Sequence, residues 1–240
     1  MMNLYKIFAY VGSYRGKQSY TIHVTEELIK YLSAQINMPV DFKIYTPKDV
    51  QVDECRGCLN CFIHGSCSMN DDIEMIKNEM LKSDIFIFAS PVYFHQVSGS
   101  MKTFIDRISS WAHTFQLRGK VGICINVSDI NGNGFVQEYL NKVMSLLGLS
   151  IILNMSMNVE NITTGESFES VIRVLGNKVI SALNSKSFPI SSAQEIYFQN
   201  MKSCMKAKQD DSFEKMYWQQ NNLFNYSSFH DMFGDCCRFK

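Results

Sequence analysis

Four cysteines fall in one short stretch, Cys55-Arg-Gly-Cys58-Leu-Asn-Cys61-Phe-Ile-His-Gly-Ser-Cys67. The first three follow a CxxCxxC spacing, which lets a tight loop aim three thiolates at three corners of a cuboid, and Cys67 supplies the fourth. Four thiolates this close in sequence suit a [4Fe-4S] cluster. A structural zinc site usually draws its ligands from two CxxC pairs set a dozen or more residues apart, so that two knuckles face across the metal. Crowding disfavours zinc here, but zinc and ligand-free thiols both stay open as alternatives. Gly57 and Gly65 permit the sharp turns such a loop needs, and their amides can donate to cluster sulfurs. His64 lies inside the loop and can replace a thiolate, although four cysteines already suffice.

Composition narrows the class of protein. The chain has 240 residues, 46% of them hydrophobic, and its 23 Lys+Arg balance 23 Asp+Glu. That is enough for one sizeable core and gives no electrostatic case for nucleic acid or an anionic membrane. The first residues carry no secretory-leader pattern and no apolar run reaches membrane-spanning length, so a cytoplasmic location is expected. There, eight cysteines do not read as a disulfide framework, and the clustered four call for metal or redox chemistry. Cys124 sits in an apolar run and is expected in the core. Cys204, Cys236 and Cys237 have no ligand spacing.

The elements that position the loop alternate strand and helix. Tyr5–Val11 reads as a strand. It is followed by a polar loop from Gly12 to Thr21 and a helix from about Ile22 to Ala34, and this strand-loop-helix layout receives anions. Neither a Walker A nor a GxGxxG pattern is present, and Ser19 on its own can simply cap the helix. Further strands are expected at 40–45, 84–90, 120–127 and 150–157. The helices between and after them start at Asp71-Asp72, near Met101, at Phe135 and near Phe168; the two aspartates read as caps. Such alternation predicts a doubly wound, five-stranded parallel sheet whose four functional loops leave one rim, at the carboxyl ends of the strands. After Asn184 the chain turns to Gln, Asn, Lys and aromatics. Residues 187–240 are expected as a helical extension to the 1–186 domain, either packed on their own subunit or reaching a partner as a lid or arm.

Three segments together resemble a known family: Gly12-Ser-Tyr-Arg15 with Ser19 and Thr21, the cysteine loop ending near Asp71-Asp72, and Ser90-Pro-Val-Tyr-Phe-His-Gln-Val-Ser-Gly-Ser-Met-Lys-Thr-Phe-Ile-Asp-Arg107. Over about residues 3–185 the chain resembles the NADPH-dependent FMN reductases of the flavodoxin-like superfamily, and more narrowly the iron-sulfur flavoproteins. The resemblance implies that Ser13, Arg15, Ser19, Tyr20 and Thr21 surround the FMN phosphate. It further implies that Pro91, Val92, Tyr93 and Phe94 border the isoalloxazine and that Ser128 approaches it. Tyr14 departs from the family, where proline is common.

On this reading FMN and a [4Fe-4S] cluster on Cys55, Cys58, Cys61 and Cys67 exchange electrons, with NAD(P)H, a ferredoxin-like protein or a small oxidant as partner. One alternative is a cluster-free NAD(P)H-dependent FMN reductase acting on quinones, nitro or azo compounds. Another is a zinc-stapled, non-enzymatic binding protein. No side-chain acid or base is obligatory, so no catalytic residue is named. His95 is expected to bond to backbone, and Lys102, Asp106 and Arg107 to form a surface ion-pair network or subunit contacts. The aromatic extension and the family's habit predict a homodimer or homotetramer.

Overall fold

Along the central strands successive side chains enter two different cores, which is what a sheet covered on both faces requires. In β1 (Tyr5–Val11) Ile7, Ala9 and Val11 join one core while Phe8 and Tyr10 join the other. The computed structural model describes residues 4–163 and 166–239; the opening residues 1–3, read above for a leader signal, lie outside it. With β2 (Val40–Tyr45), β3 (Ile85–Tyr93), β4 (Gln96–Val97), β5 (Val121–Ser128) and β6 (Ser150–Asn158), the sheet runs β2-β1-β3-β5-β6. These five strands are parallel, as expected for a flavodoxin-like order. The two-residue β4 is an unforeseen sixth, paired antiparallel with the end of β3 through Val92–Val97 and Tyr93–Gln96.

Helices α1 (Tyr20–Gln35), α2 (Asn60–His64), α3 (Ile73–Lys82), α4 (Gly99–Arg107), α5 (Ser110–Thr114), α6 (Asn133–Leu146), α7 (Val159–Thr163) and α8 (Glu166–Ser185) fill the connections. Ile22, Val24, Leu28, Ile29 and Leu32 of α1 pack on one sheet face with Phe168, Ile172, Val179 and Leu183 of α8. Ile73, Ile76 and Met80 of α3, Met101, Phe104 and Ile105 of α4, and Val136, Leu140 and Met144 of α6 cover the other. Cys124 is in that second core, as expected, and burial pushes its thiol pKa far above the usual value. Among the described residues no helix is long and apolar enough to cross a membrane.

The extension forms α9 (Ser192–Ala207), α10 (Phe213–Gln220) and α11 (Phe229–Cys236). Ser191 and Gln194 make a reciprocal capping box at the start of α9. Phe198, Met201, Met205, Trp218, Leu223, Phe229, Met232 and Phe233 bury around Phe115, a residue of the sheet domain. The aromatic side chains that called for a covering surface therefore find it on their own subunit. Trp218 is fully buried and its indole N–H donates to the His113 carbonyl at 2.8 Å. Trp218→Ala is expected to cost about 3–5 kcal/mol of unfolding free energy. A urea midpoint indistinguishable from wild type would show that the extension is no part of the cooperative core.

Candidate functional site

The rim begins where β1 ends. Gly12 donates its amide to the Ala89 carbonyl at 2.8 Å and accepts the Ser98 hydroxyl at 2.6 Å, tying the first loop to the segment after β3. Beyond it, Ser13 is buried, Arg15 is exposed and Gly16 adopts φ +57°. Ser19 accepts the Ile22 amide at 3.3 Å, so it caps α1 as foreseen. Helix geometry leaves the Tyr20 and Thr21 amides at the positive end of α1 for an outside acceptor. Tyr20 leans its ring on the core, and the Thr21 side chain is buried. Lys48, exposed after β2, brings its ammonium beside Gly16. Sequence reasoning did not single out that lysine, because only the parallel pairing of β1 with β2 brings it there.

The second segment turns tightly. Phe94 and His95, at φ +49° and +62°, connect β3 to β4 as the two central residues of a hairpin. Pro91 and Val92 are half-buried, whereas Tyr93 is exposed and Phe94 fully so. Gly132 in the third loop adopts φ +87°, and a Cβ there would fall 2.9 Å from both Val92 and His95, so the second and third loops are in contact. His95 pairs with the Asn131 side chain at 3.0 Å, not with backbone as expected, and its ring stacks on Phe135. Ser128 is buried and bonded to Asn158 and Asn133; its hydroxyl holds the third loop together.

The cysteine loop leaves β2 and returns at α3. Gly57 and Gly65 take positive φ, as expected, and Leu59 does so as well. Cys55 and Cys58 are exposed, Cys61 and Cys67 half-buried, and none of them is in a disulfide. Hydrogen bonding from the Asn60 amide holds the Cys58 thiol below its ordinary pKa, whereas burial pushes that of Cys61 up against the opposing Ser110 hydroxyl. The donor set has the chemistry a cluster needs. Its geometry is not closed, because among the described residues no three His, Cys, Asp or Glu side chains converge as for a metal ion.

Two readings of charged residues are corrected. Arg107 is not a surface residue: its side chain is 1% exposed and forks onto both oxygens of Asp71, whose side chain is wholly buried. Its neighbours Lys102 and Asp106 do form the expected exposed pair. Asp71 accepts the Ile73 amide as a cap would, but Asp72 caps nothing in α3 and accepts the Gln51 amide instead. Burial would raise the Asp71 pKa, yet the Arg107 hydrogen bonds and the Asp53 and Ile73 amides bring it below the ordinary value.

From outside, α10 roofs the cysteine loop. A Cβ on Gly65 would strike the Phe213 ring at 2.5 Å, and His113 sits between Phe62 at 5.1 Å and Glu214 at 2.6 Å. Between the first loop and the start of the cysteine loop lies a cavity of about 550 Å³, bordered by Tyr14, Lys48, Asp53, Glu54 and Gly99.

With this geometry established, comparison with known proteins gives a consistent result. A family model described as NADPH-dependent FMN reductase matches residues 5–164. The chain is 33% identical over 138 residues to an iron-sulfur flavoprotein of Archaeoglobus fulgidus, covering 57% of this chain and 63% of that one. It is 32% identical over 129 residues to one of Methanocaldococcus jannaschii, with 54% and 65% covered. It thus spans just under two thirds of the length of both. A third, from Clostridioides difficile, is 29% identical over 172 residues, with 69% and 76% covered. Among solved structures, RosB with bound 8-demethyl-8-formylriboflavin-5'-phosphate matches with TM-score 0.62 at 10% identity, over 87% of this chain and 89% of RosB. An apo NADH:FMN oxidoreductase matches with TM-score 0.55 at 16% identity, over 79% and 93%. At these identities the structures speak for the fold.

The buried carboxylate gives a pH prediction. With its folded pKa depressed, Asp71 contributes stability that is fully present above its unfolded value of about 3.9 and is lost as pH falls through the folded value. Asp71→Asn is expected to be less stable than wild type at pH 7 and to lose less on acidification below about pH 4. Parallel stability curves for the two proteins across that window would contradict this assignment.

Proposed function

Taking as premise that the chain belongs to the NADPH-dependent FMN reductase family, we propose that it is a flavin-dependent oxidoreductase of the iron-sulfur flavoprotein type. The observation that carries this reading is the shared rim: Tyr14 of the anion-receiving loop and Asp53 and Glu54, the residues that lead into the four-thiol loop, border one cavity. The likeness to three curated iron-sulfur flavoproteins supports it. Family membership speaks against the non-enzymatic alternative.

In this proposal Ser13, Arg15 and Ser19, with the amides at Tyr20 and Thr21 and the charge of Lys48, anchor the FMN phosphate. Pro91, Val92, Tyr93 and Phe94 border the ring, and Ser128 steadies the loop opposite. Cys55, Cys58, Cys61 and Cys67 hold a [4Fe-4S] cluster. FMN held there would supply hydride acceptance and the conversion of two-electron into one-electron chemistry, and a cluster on the thiols would supply single-electron transfer. The chain's own work is to orient the flavin, keep one ring face open to NAD(P)H, a ferredoxin-like donor or a small oxidant, and fix the thiols nearby. A cytoplasmic homodimer or homotetramer belongs to the same proposal. Since the extension buries its aromatics internally, exposed Tyr93, Phe94, Ile130 and Phe135 near the rim are the motive for association. The matching family description, NADPH-dependent FMN reductase, equally fits a second reading, a cluster-free reductase of quinones, nitro or azo compounds.

Protein made anaerobically is expected to release FMN, not FAD, and to contain about four irons and four sulfides per chain. Cys→Ser at any of the four positions should lose the iron and keep the flavin. Ser13→Ala should weaken FMN binding about tenfold, the worth of one charge-assisted hydrogen bond. Flavin without iron, with quinone reduction indifferent to the four Cys→Ser changes, selects the second reading, and unchanged FMN affinity in Ser13→Ala moves the phosphate elsewhere.

A further inference from the structure

Every hydrogen bond of the Arg107 side chain goes to the segment that carries the thiols. Nη1 donates to Asp71 at 2.5 Å and to the Asp53 carbonyl at 2.6 Å, and Nη2 donates to Asp71 at 2.9 Å and to Cys67 Sγ at 3.4 Å. Asp71 in turn accepts the Asp53 amide at 2.9 Å. One guanidinium–carboxylate pair therefore fastens the chain just before Cys55 to the chain just after Cys67, and touches the last thiol. Arg107 is also the final residue of α4. At the other end of that helix Ser98 bonds to Gly12 of the first loop and, through its amide, to Ser90 at the head of the second. A nine-residue helix, about 13 Å long, thus spans the two halves of the rim.

We propose that Arg107 is the positioning residue of the cysteine loop: acting through α4, it fixes the four thiols relative to the flavin-binding segments and donates a hydrogen bond to the Cys67 sulfur that sets the potential of the centre held there. The part concerning potential rests on the iron-sulfur reading above; the positioning part does not. Lysine cannot substitute, because a point ammonium lacks the planar fork that reaches a carboxylate, a carbonyl and a sulfur together. The anchoring of α4 to the sheet does not need Arg107, since Met101, Phe104 and Ile105 already bury there.

The test uses full-length flavin-loaded protein as Arg107→Lys and as the double variant Arg107→Met with Asp71→Asn, which avoids a buried unpaired carboxylate. Hydrogen exchange of the amides in 54–70 is expected to accelerate at least tenfold in both, with those of β1, β3 and β5 unchanged. Unchanged loop protection, or acceleration spread evenly over the sheet, overturns the positioning role. In iron-loaded protein the iron centre of Arg107→Lys should titrate at a more negative potential while the flavin potential stays put, because a hydrogen bond to a cluster sulfur favours the reduced form. An unchanged iron potential overturns the assignment to the Cys67 sulfur. If wild-type protein made anaerobically holds no iron, the iron-sulfur reading fails and the potential-setting half of this proposal fails with it; the exchange result still decides the positioning half.

Discussion

The close approach of α4 to the end of β1 is the constraint on which the rim depends. A Cβ on residue 12 would lie 2.5 Å from Ser98 Oγ and 2.7 Å from Met101 Cβ, so only glycine lets the helix start there. Ser98 uses that nearness fully: its hydroxyl donates to the Gly12 carbonyl and accepts the Met101 amide, and its own amide reaches Ser90. Phe104, one turn further on, stacks on Tyr10 at 4.0 Å and meets Phe88 edge-on. The helix is thereby pinned to β1 and β3 together, and the loops hung from its ends inherit their places.

Against this rigid base the rim itself holds strained and desolvated groups. Of the six non-glycine residues with positive φ among those described, Leu59, Phe94 and His95 are in the rim loops. Each left-handed residue costs about 1–2 kcal/mol, and exposed Leu59 and Phe94 recover little of it by burial. The hairpin pairing of β4 and the contacts of His95 with Asn131 and Phe135 hold two of these residues in place. The Arg107–Asp71 pair is similar in kind. Burying two charges gives up much of the Coulombic gain to desolvation, so its value lies in register more than in net stability.

The sheet was legible because strands buried on both faces read as apolar runs, and β1, β3 and β5 are of that kind. The CxxCxxC spacing and the loop glycines were legible too, being local. Features made by distant chain segments were not. Asp106 follows Lys102 by one helical turn, and that surface pattern drew Arg107 into the same class. Nothing local reveals that its guanidinium meets Asp53 and Asp71 across 54 and 36 residues of chain. The Phe94-His95 turn lacks the Asn-Gly signal that marks such hairpins, so β4 went unseen. The extension read correctly as helices, yet its partner, Phe115, is one aromatic in a connection with no distinguishing pattern.

The roof that α10 makes over the cysteine loop also orders events in time. The thiols at 55–67 precede Phe213 by about 150 residues, which at roughly 5–20 residues per second is some 7–30 s of translation. Through that interval the loop is without the Phe213 ring against Gly65 and without Glu214 beside His113. Anything fitted to the loop's inner face during synthesis goes in before the roof exists, whereas in the finished chain exposed Cys55 and Cys58 are the approach left open.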